Sequence, residues 1–184
     1  MAFDTSGNRN SIVKIFPTLA TDPHFHLTSE ETVRYNCIAF AMGFMDRWVQ
    51  PEPSGYIRSR FCWWPDSARK DLSEVALREA FEAVGFIVVA DCSFKEGYDT
   101  VVLYSLNGQW THAARIIENG KEHSKFGESF DGTHGHRRFE GTSYGKPFAF
   151  MQRIHRSSDE LLHDFPLPLG GARASLSLLR GMIS

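Results

Sequence analysis

Beyond residue 85 the apolar residues of this chain recur in short alternating or β-branched runs, and this pattern constrains the fold most. The runs are FIVVADC (86–92), TVVLYSL (100–106), WTHAARII (110–117) and FAFMQRI (148–154). Turn-forming sequences, KEGYD, NGQ and NG, separate them. Runs of this length, bounded by such turns, predict the strands of an antiparallel meander.

The preceding part of the chain has helical patterns instead. Apolar residues recur at i, i+3 and i+4 spacing over 72–83, and Gly85 stands where a C-terminal cap belongs. The segment CIAFAMGFM (37–45) is apolar all round, which indicates a buried helix. Helices followed by an antiparallel meander predict an α+β fold.

The 184 residues are enough for one domain with a core of ordinary size. We expect residues 1–27 to be an irregular N-terminal segment, 28–156 the domain itself, and 157–184 a peripheral tail rich in proline and glycine. Two prolines and a glycine within 49–61 predict a loop there.

Charge and cysteine content narrow the possible environments. Twenty Lys and Arg against 22 Asp and Glu give a net charge of −2, which argues against nucleic-acid or membrane partners. Three scattered cysteines form no disulfide framework and suit a reducing compartment. We therefore expect a cytoplasmic protein, with signal-independent export still open.

Cys37 follows an asparagine at the start of the apolar segment. Asn36 is a favoured N-cap residue, which would make Cys37 the first residue of a helix. The unpaired N–H groups and the dipole of that helix would stabilise a thiolate and lower the pKa of the cysteine. The alternative is that Cys37 is a small buried core residue.

His112 lies in the strand pattern WTHAARII, after the helical part of the chain. A thiol nucleophile needs a base that tertiary structure brings close to it. The order of a helix-start cysteine followed by a strand histidine therefore favours a Cys37–His112 pair.

The motifs YNCIAFAMG, WWP, THAAR and SKFG resemble those of an uncharacterised bacterial domain family with N-C-I-A-[FW]-A, W-P, T-H-A-A-R and S-K-[LF]-G in this order. That family in turn looks like a remote branch of the papain-like and NlpC-type cysteine amide hydrolases. The resemblance implies a papain-like α+β domain whose N-terminal helix carries Cys37 and packs on an antiparallel sheet carrying His112. A polar residue on the next strand would orient the histidine.

The hairpin RIIENGKEHSKFG decides which residue that is. A two-residue turn at Asn119-Gly120 would place His123 and Lys125 on the face of His112. His123 is chemically the better orienting group.

A three-residue loop at 118–120, with Gly120 left-handed, would instead place Ser124 and Glu122 on the face of His112. The NlpC-type pattern puts its orienting residue about twelve positions after the histidine, which implies Ser124. Both candidates remain open, with Ser124 slightly favoured.

Papain-like enzymes carry a glutamine shortly before the cysteine to complete the oxyanion hole. Here that stretch is SEETVRYN, without glutamine, so Asn36 or backbone N–H groups alone would serve. The HFH (24–26) and HGH (134–136) pairs lack partners at zinc-finger spacing, and we expect no metal and no cofactor.

The sequence thus favours a cysteine-dependent amide hydrolase or acyl transferase acting on a protein or peptide substrate, with Cys37, His112 and Ser124 or His123 in the site. The alternative is a non-catalytic interaction or immunity module on the same fold. Neither the substrate nor the oligomeric state can be deduced from the sequence.

Overall fold

A computed structural model describes residues 2–51 and 62–167 of the chain, so most of the predicted loop at 49–61 lies outside the described residues. The α-helices are α1 (Ser6–Ile15), α2 (Cys37–Met42), α3 (Glu74–Ala83) and α4 (Ser158–Asp164). The strands are β1 (His26–Leu27), β2 (Trp48–Val49), β3 (Cys62–Trp63), β4 (Ile87–Val89), β5 (Tyr98–Leu106), β6 (Gln109–Ile116), β7 (Glu122–Lys125), β8 (Asp131–His134) and β9 (Lys146–Ile154). Short 3-10 helices cover Pro17–Leu19 and Glu118–Gly120.

A seven-stranded sheet forms the centre of the fold, in the order β1-β8-β7-β6-β5-β9-β4. Every neighbouring pair in it is antiparallel. Strands β2 and β3 form a separate parallel pair. The prediction of mixed helices and an antiparallel sheet is confirmed. Among the residues that the structure describes, no helix combines the length and the apolar character needed to cross a membrane.

The two faces of the sheet are covered by different parts of the chain. Side chains from alternating positions of β5 and β6, such as Leu103 and Ala113, pack with α2 and α3 in one core cluster. The intervening positions, such as Tyr104 and Ala114, pack in a second cluster with the N-terminal segment. Strand β6 therefore borders both cores.

The N-terminal segment is ordered, and the prediction that 1–27 is irregular is wrong. Helix α1 begins after Thr5, whose side chain accepts from the N–H of Asn8, and β1 pairs with β8. The segment buries five apolar side chains in the second core: Ile12, Phe16, Leu19, Phe25 and Leu27. Burial of this surface, at about 1.5–3 kcal/mol per side chain, stabilises a conformation that local sequence does not signal.

The expected peripheral tail also begins as part of the core. Helix α4 has a capping box at Ser157 and Glu160, and its Leu161 is fully buried beside Gly43. The ring of Phe165 lies 6.1 Å from that of Phe44. The prediction of a peripheral tail is therefore wrong for 157–167, whereas 168–184 lie outside the described residues.

Arg153 of β9 connects the ends of both core helices to the sheet. Its guanidinium donates to the carbonyl oxygens of Met42 (2.7 Å) and Val84 (3.1 Å) and to the carboxylate of Asp99 (2.9 and 3.0 Å). It also lies 4.4 Å from the centre of the Phe86 ring. The C-terminal end of α2 is thus fixed by a buried charge.

Candidate active site

Cys37 is the first residue of α2, as predicted. The Asn36 side chain accepts from the N–H of Ala39 at 3.0 Å, which is the expected N-cap contact. The helix ends after six residues at Gly43, whose φ of +101° favours glycine.

Asn36 has a second structural task, which occupies its side chain. Its Oδ1 also accepts from the N–H of Val49 at 3.2 Å, and its Nδ2 donates to the Val49 carbonyl at 2.9 Å. The amide therefore joins α2 to β2. Of the two alternatives for an oxyanion hole, this arrangement favours backbone N–H groups over the Asn36 side chain.

The hairpin between β6 and β7 has the three-residue loop. Ile116 pairs with Glu122 and Arg115 with His123, while Asn119 and Gly120 have φ of 65° and 70°. This register places Ser124 and Glu122 on the face of His112. Of the two turns that the sequence allowed, the structure contains the one that favours Ser124.

The structure brings His112 and Ser124 together and leaves His123 elsewhere. His112 Nε2 lies 3.1 Å from Ser124 Oγ, and both residues are fully buried. His123 turns to the α2 face, where Nε2 lies 2.7 Å from Thr28 Oγ1 and the ring lies 4.9 Å from that of Phe40. Because the three-residue loop puts His123 on this face, its side chain does not contact His112.

The His112 ring is enclosed by aromatic side chains. The Tyr144 ring stacks on it at 4.1 Å with an interplanar angle of 4°, and Phe139 meets it edge-on at 5.4 Å. Nδ1 is buried and has no hydrogen-bond partner. The ring therefore has one nitrogen bonded to Ser124 and one nitrogen unused.

Cys37 and His112 approach β6 from opposite faces of the sheet. Cys37 packs against the core cluster that contains Ala113, whereas His112 faces Tyr104 in the other core. The backbone N–H of Ala113 lies near the Cys37 sulfur, where it favours the thiolate. Because His112 Nδ1 has no partner, the thiol and the imidazole are not hydrogen-bonded to each other in this structure.

Residues 112 and 113 of β6 lie beyond the end of its pairing with β7. Strands β6 and β7 pair only at Arg115–His123 and Ile116–Glu122, so they part at the level of His112 and Ala113. Ala113 still pairs with Leu103 of β5, and its N–H lies near the Cys37 sulfur. Cys37 and His112 therefore lie beside the same stretch of β6, where its pairing with β7 has ended.

Burial decides the protonation of both groups. It raises the pKa of Cys37 to about 11, against smaller opposing effects of the N–H groups of Ala113, Ile38 and Cys37. Burial, followed by the nearby His134, lowers the pKa of His112 well below 6.5. The expected lowering of the cysteine pKa is wrong, because α2 is only six residues long and its dipole does not offset desolvation.

We therefore expect iodoacetamide to alkylate Cys37 slowly at pH 7, because the thiolate is the reacting species. The rate should keep rising toward pH 11, the region of the raised pKa. Peptide mapping after short labelling at several pH values measures this, with denatured protein as the control for an unperturbed thiol. A rate that is already constant at pH 8 would contradict the burial argument.

A network of polar side chains extends from Ser124. Its Oγ lies 2.9 Å from His134 Nε2, and Glu122 Oε2 lies 4.0 Å from the same nitrogen. The Tyr104 hydroxyl donates to Glu122 Oε1 at 2.8 Å, and His136 Nδ1 lies 2.9 Å from the same oxygen. The resulting network lies on the face of the sheet that carries His112.

The family comparison covers the whole of this site. The sequence profile of a family described as a domain of unknown function (DUF7689) matches residues 26–152, well over half of the chain. The chain belongs to this family. Searches among curated proteins and among solved structures gave no match. Cys37, His112, Ser124 and His134 all fall within the DUF7689 domain, whereas α1 and α4 lie outside it.

His134 was not among the residues of the candidate site predicted from the sequence. The HGH motif (134–136) was considered only as a possible pair of metal ligands. In the described part of the chain, no group of three or more His, Cys, Asp and Glu side chains is arranged to hold a metal ion. His134 joins the site through the pairing of β7 with β8, which sets Ser124 opposite Gly132 and Glu122 opposite His134 and which no local sequence pattern signals.

Proposed function

We propose that the protein is a cysteine-dependent amide hydrolase or acyl transferase of the papain-like or NlpC type. Cys37 is the nucleophile, His112 the general base and Ser124 the group that orients the imidazole. One observation carries the proposal: Nδ1 of His112 is a buried nitrogen without a partner, in the residue next to Ala113, whose N–H lies near the Cys37 sulfur. Leaving such a nitrogen unpaired costs about 1–3 kcal/mol of stability, and a role in accepting a proton is a functional reason for this cost.

The reaction begins from a neutral pair. The thiol is protonated because the pKa of Cys37 is raised, and the imidazole is free to act as a base because the pKa of His112 is lowered. The sulfur attacks the carbonyl carbon of the substrate while its proton passes to Nδ1. Proton transfer thus accompanies attack, because neither group is charged beforehand.

The remaining steps return the proton. Backbone N–H groups of Cys37 and Ala113 lie near the sulfur and would receive the oxyanion. The imidazolium then protonates the leaving amine, and a thioester remains on Cys37. Attack by water completes hydrolysis, and attack by an amine completes acyl transfer. We infer a protein or peptide amide as the natural acyl donor.

An activated ester tests the proposal without knowledge of the substrate. Incubation with p-nitrophenyl acetate at pH 7 should release p-nitrophenol and leave one acetyl group on Cys37, detected by intact mass and peptide mapping. His112→Gln retains a polar partner for Ser124 but lacks a basic nitrogen. Loss of the general base should slow acetylation by about 10²- to 10⁴-fold.

The matched controls are Cys37→Ala, which should abolish the adduct, and Cys92→Ser, which should leave it unchanged. Cys92 is partly exposed and its sulfur lies 3.6 Å from His136 Nε2, so it serves as a second thiol beside a histidine. Equal acetylation of Cys92 and Cys37, or acetylation of Cys37 that His112→Gln does not slow, would refute the catalytic pair.

The raised pKa of Cys37 also favours the second candidate, a non-catalytic interaction module in which this cysteine only packs. Slow alkylation at pH 7 fits both functions, since it reports only the thiolate. Acetylation assisted by His112 fits the enzyme alone. Stable protein that forms no acetyl adduct would favour the interaction module.

A further inference from the structure

Ser124 stands between two buried imidazoles. Its Oγ lies 3.1 Å from Nε2 of His112 and 2.9 Å from Nε2 of His134. A hydroxyl has one proton, so Ser124 donates to one ring and accepts from the other. The direction of this chain determines which nitrogen of His112 carries the proton.

His134 fixes the direction. Its Nδ1 lies 3.0 Å from the carbonyl oxygen of Gly135, and a carbonyl only accepts, so this nitrogen carries a proton. Burial lowers the pKa of His134 against the opposing charge of Glu122, which keeps the ring neutral near pH 7. Nε2 then has a lone pair, and the hydroxyl of Ser124 donates to it. Ser124 must therefore accept from Nε2–H of His112.

Glu122 is held so that it does not reverse this order. A carboxylate hydrogen-bonded to Nε2 of His134 would favour a proton on that nitrogen, but the separation is 4.0 Å. The carboxylate instead accepts from Tyr104 (2.8 Å) and the N–H of Arg137 (2.8 Å), and it lies 2.9 Å from Nδ1 of His136. These contacts hold the Glu122 carboxylate away from the hydrogen-bond chain of His134, Ser124 and His112.

We propose that His134 is a positioning residue that acts through the Ser124 hydroxyl to hold His112 in the Nε2–H tautomer. In this tautomer Nδ1 has a lone pair, which is what a base for the Cys37 thiol requires. The opposite tautomer would have a proton on Nδ1 and could not accept another. The inference rests on the proposed function for its consequence, whereas the tautomer itself is measurable without activity.

The test is ¹⁵N NMR of the imidazole nitrogens, which distinguishes protonated from unprotonated ring nitrogens. In the wild-type chain at pH 7, His112 should show protonated Nε2 and unprotonated Nδ1. His134→Phe fits beside Phe126 and Phe139, whose rings lie 6.2 and 4.3 Å from that of His134, but it cannot accept a hydrogen bond. Ser124 then donates to His112, and the two ¹⁵N signals should exchange their character.

His134→Gln should restore the wild-type signals, because its side-chain oxygen accepts from Ser124. The matched control is His123→Gln, at a partly buried histidine on β7 that has no bond to Ser124, and it should change nothing at His112. If His134→Phe does not fold, Ser124→Ala replaces it, and mixed tautomers of His112 are then expected.

The acetylation assay separates this inference from the proposed function. Exchanged tautomers with loss of acetylation in His134→Phe, and recovery of both in His134→Gln, support the two together. Exchanged tautomers in a chain that never acetylates Cys37 support the positioning role and refute the enzyme. A wild-type His112 protonated at Nδ1, or signals unchanged in folded His134→Phe, overturns the positioning role.

Discussion

Lowering the pH from 7 to 5 is expected to destabilise the folded chain steeply. Three histidines of the sheet have lowered pKa values: desolvation lowers that of the partly buried His123 to about 4 and, in the same direction, those of the fully buried His112 and His134. In the unfolded chain histidine binds a proton near pH 6.5. Below that pH the unfolded state therefore holds more protons than the folded state, and the free energy of unfolding decreases.

Each histidine kept neutral contributes a slope that approaches about 1.4 kcal/mol per pH unit, so His112 and His123 together approach about 3 kcal/mol per pH unit, and His134 acts in the same direction. The loss is confined to the window between the unfolded and folded pKa values. Asp131, whose pKa burial raises, opposes it slightly at the acidic end. Urea unfolding at pH 7, 6 and 5 and constant ionic strength measures the slope.

His123→Gln provides the control for this dependence, because removal of one histidine should reduce the slope by about one proton. A free energy of unfolding that stays constant between pH 7 and 5 would show that these rings are protonated in the folded state as easily as in the unfolded state. The neutral resting pair in the proposed mechanism would then be wrong as well.

Arg153→Met should cost about 3–5 kcal/mol of stability, because it leaves two buried carbonyl oxygens without their donor and removes the guanidinium from the partly buried Asp99 carboxylate. Methionine keeps much of the packing against Phe86, so the loss reports mainly the hydrogen bonds. The midpoint of urea unfolding measures it.

The matched control is Arg78→Met on α3, where an exposed arginine pairs with Glu82 at 3.9 Å. Removal of such a surface pair should change stability by less than about 1 kcal/mol. Equal effects of the two substitutions would mean that the buried charge does not hold α2 in place.

Local features of the site were predictable from sequence, because few residues determine them. Asn36 as a cap and Cys37 as the first helical residue follow from one contact within four residues. The strand that carries His112 follows from alternation and turns. The hairpin left two registers open, since Asn119-Gly120 fits both a two-residue turn and the left-handed end of a longer loop.

Features that depend on distant packing were not predictable. Only Ile12 of α1 is buried, so that helix lacks a long apolar stripe, and its stability comes from the sheet beneath it. His134 joins the site through the pairing of β7 with β8, which no local pattern signals. The pKa of Cys37 likewise depends on how much protein surrounds the sulfur.

The three-residue loop at 118–120 restricts how such domains can diverge. Loss or gain of one residue there would shift β7 by one position against β6 and exchange its two faces. Ser124 would then turn toward α2, and His123 or Lys125 would take its place beside His112. The loop therefore tolerates amino-acid substitutions, provided that its two positions with positive φ keep residues such as Asn119 and Gly120. Insertions and deletions are the mutations that this hairpin excludes.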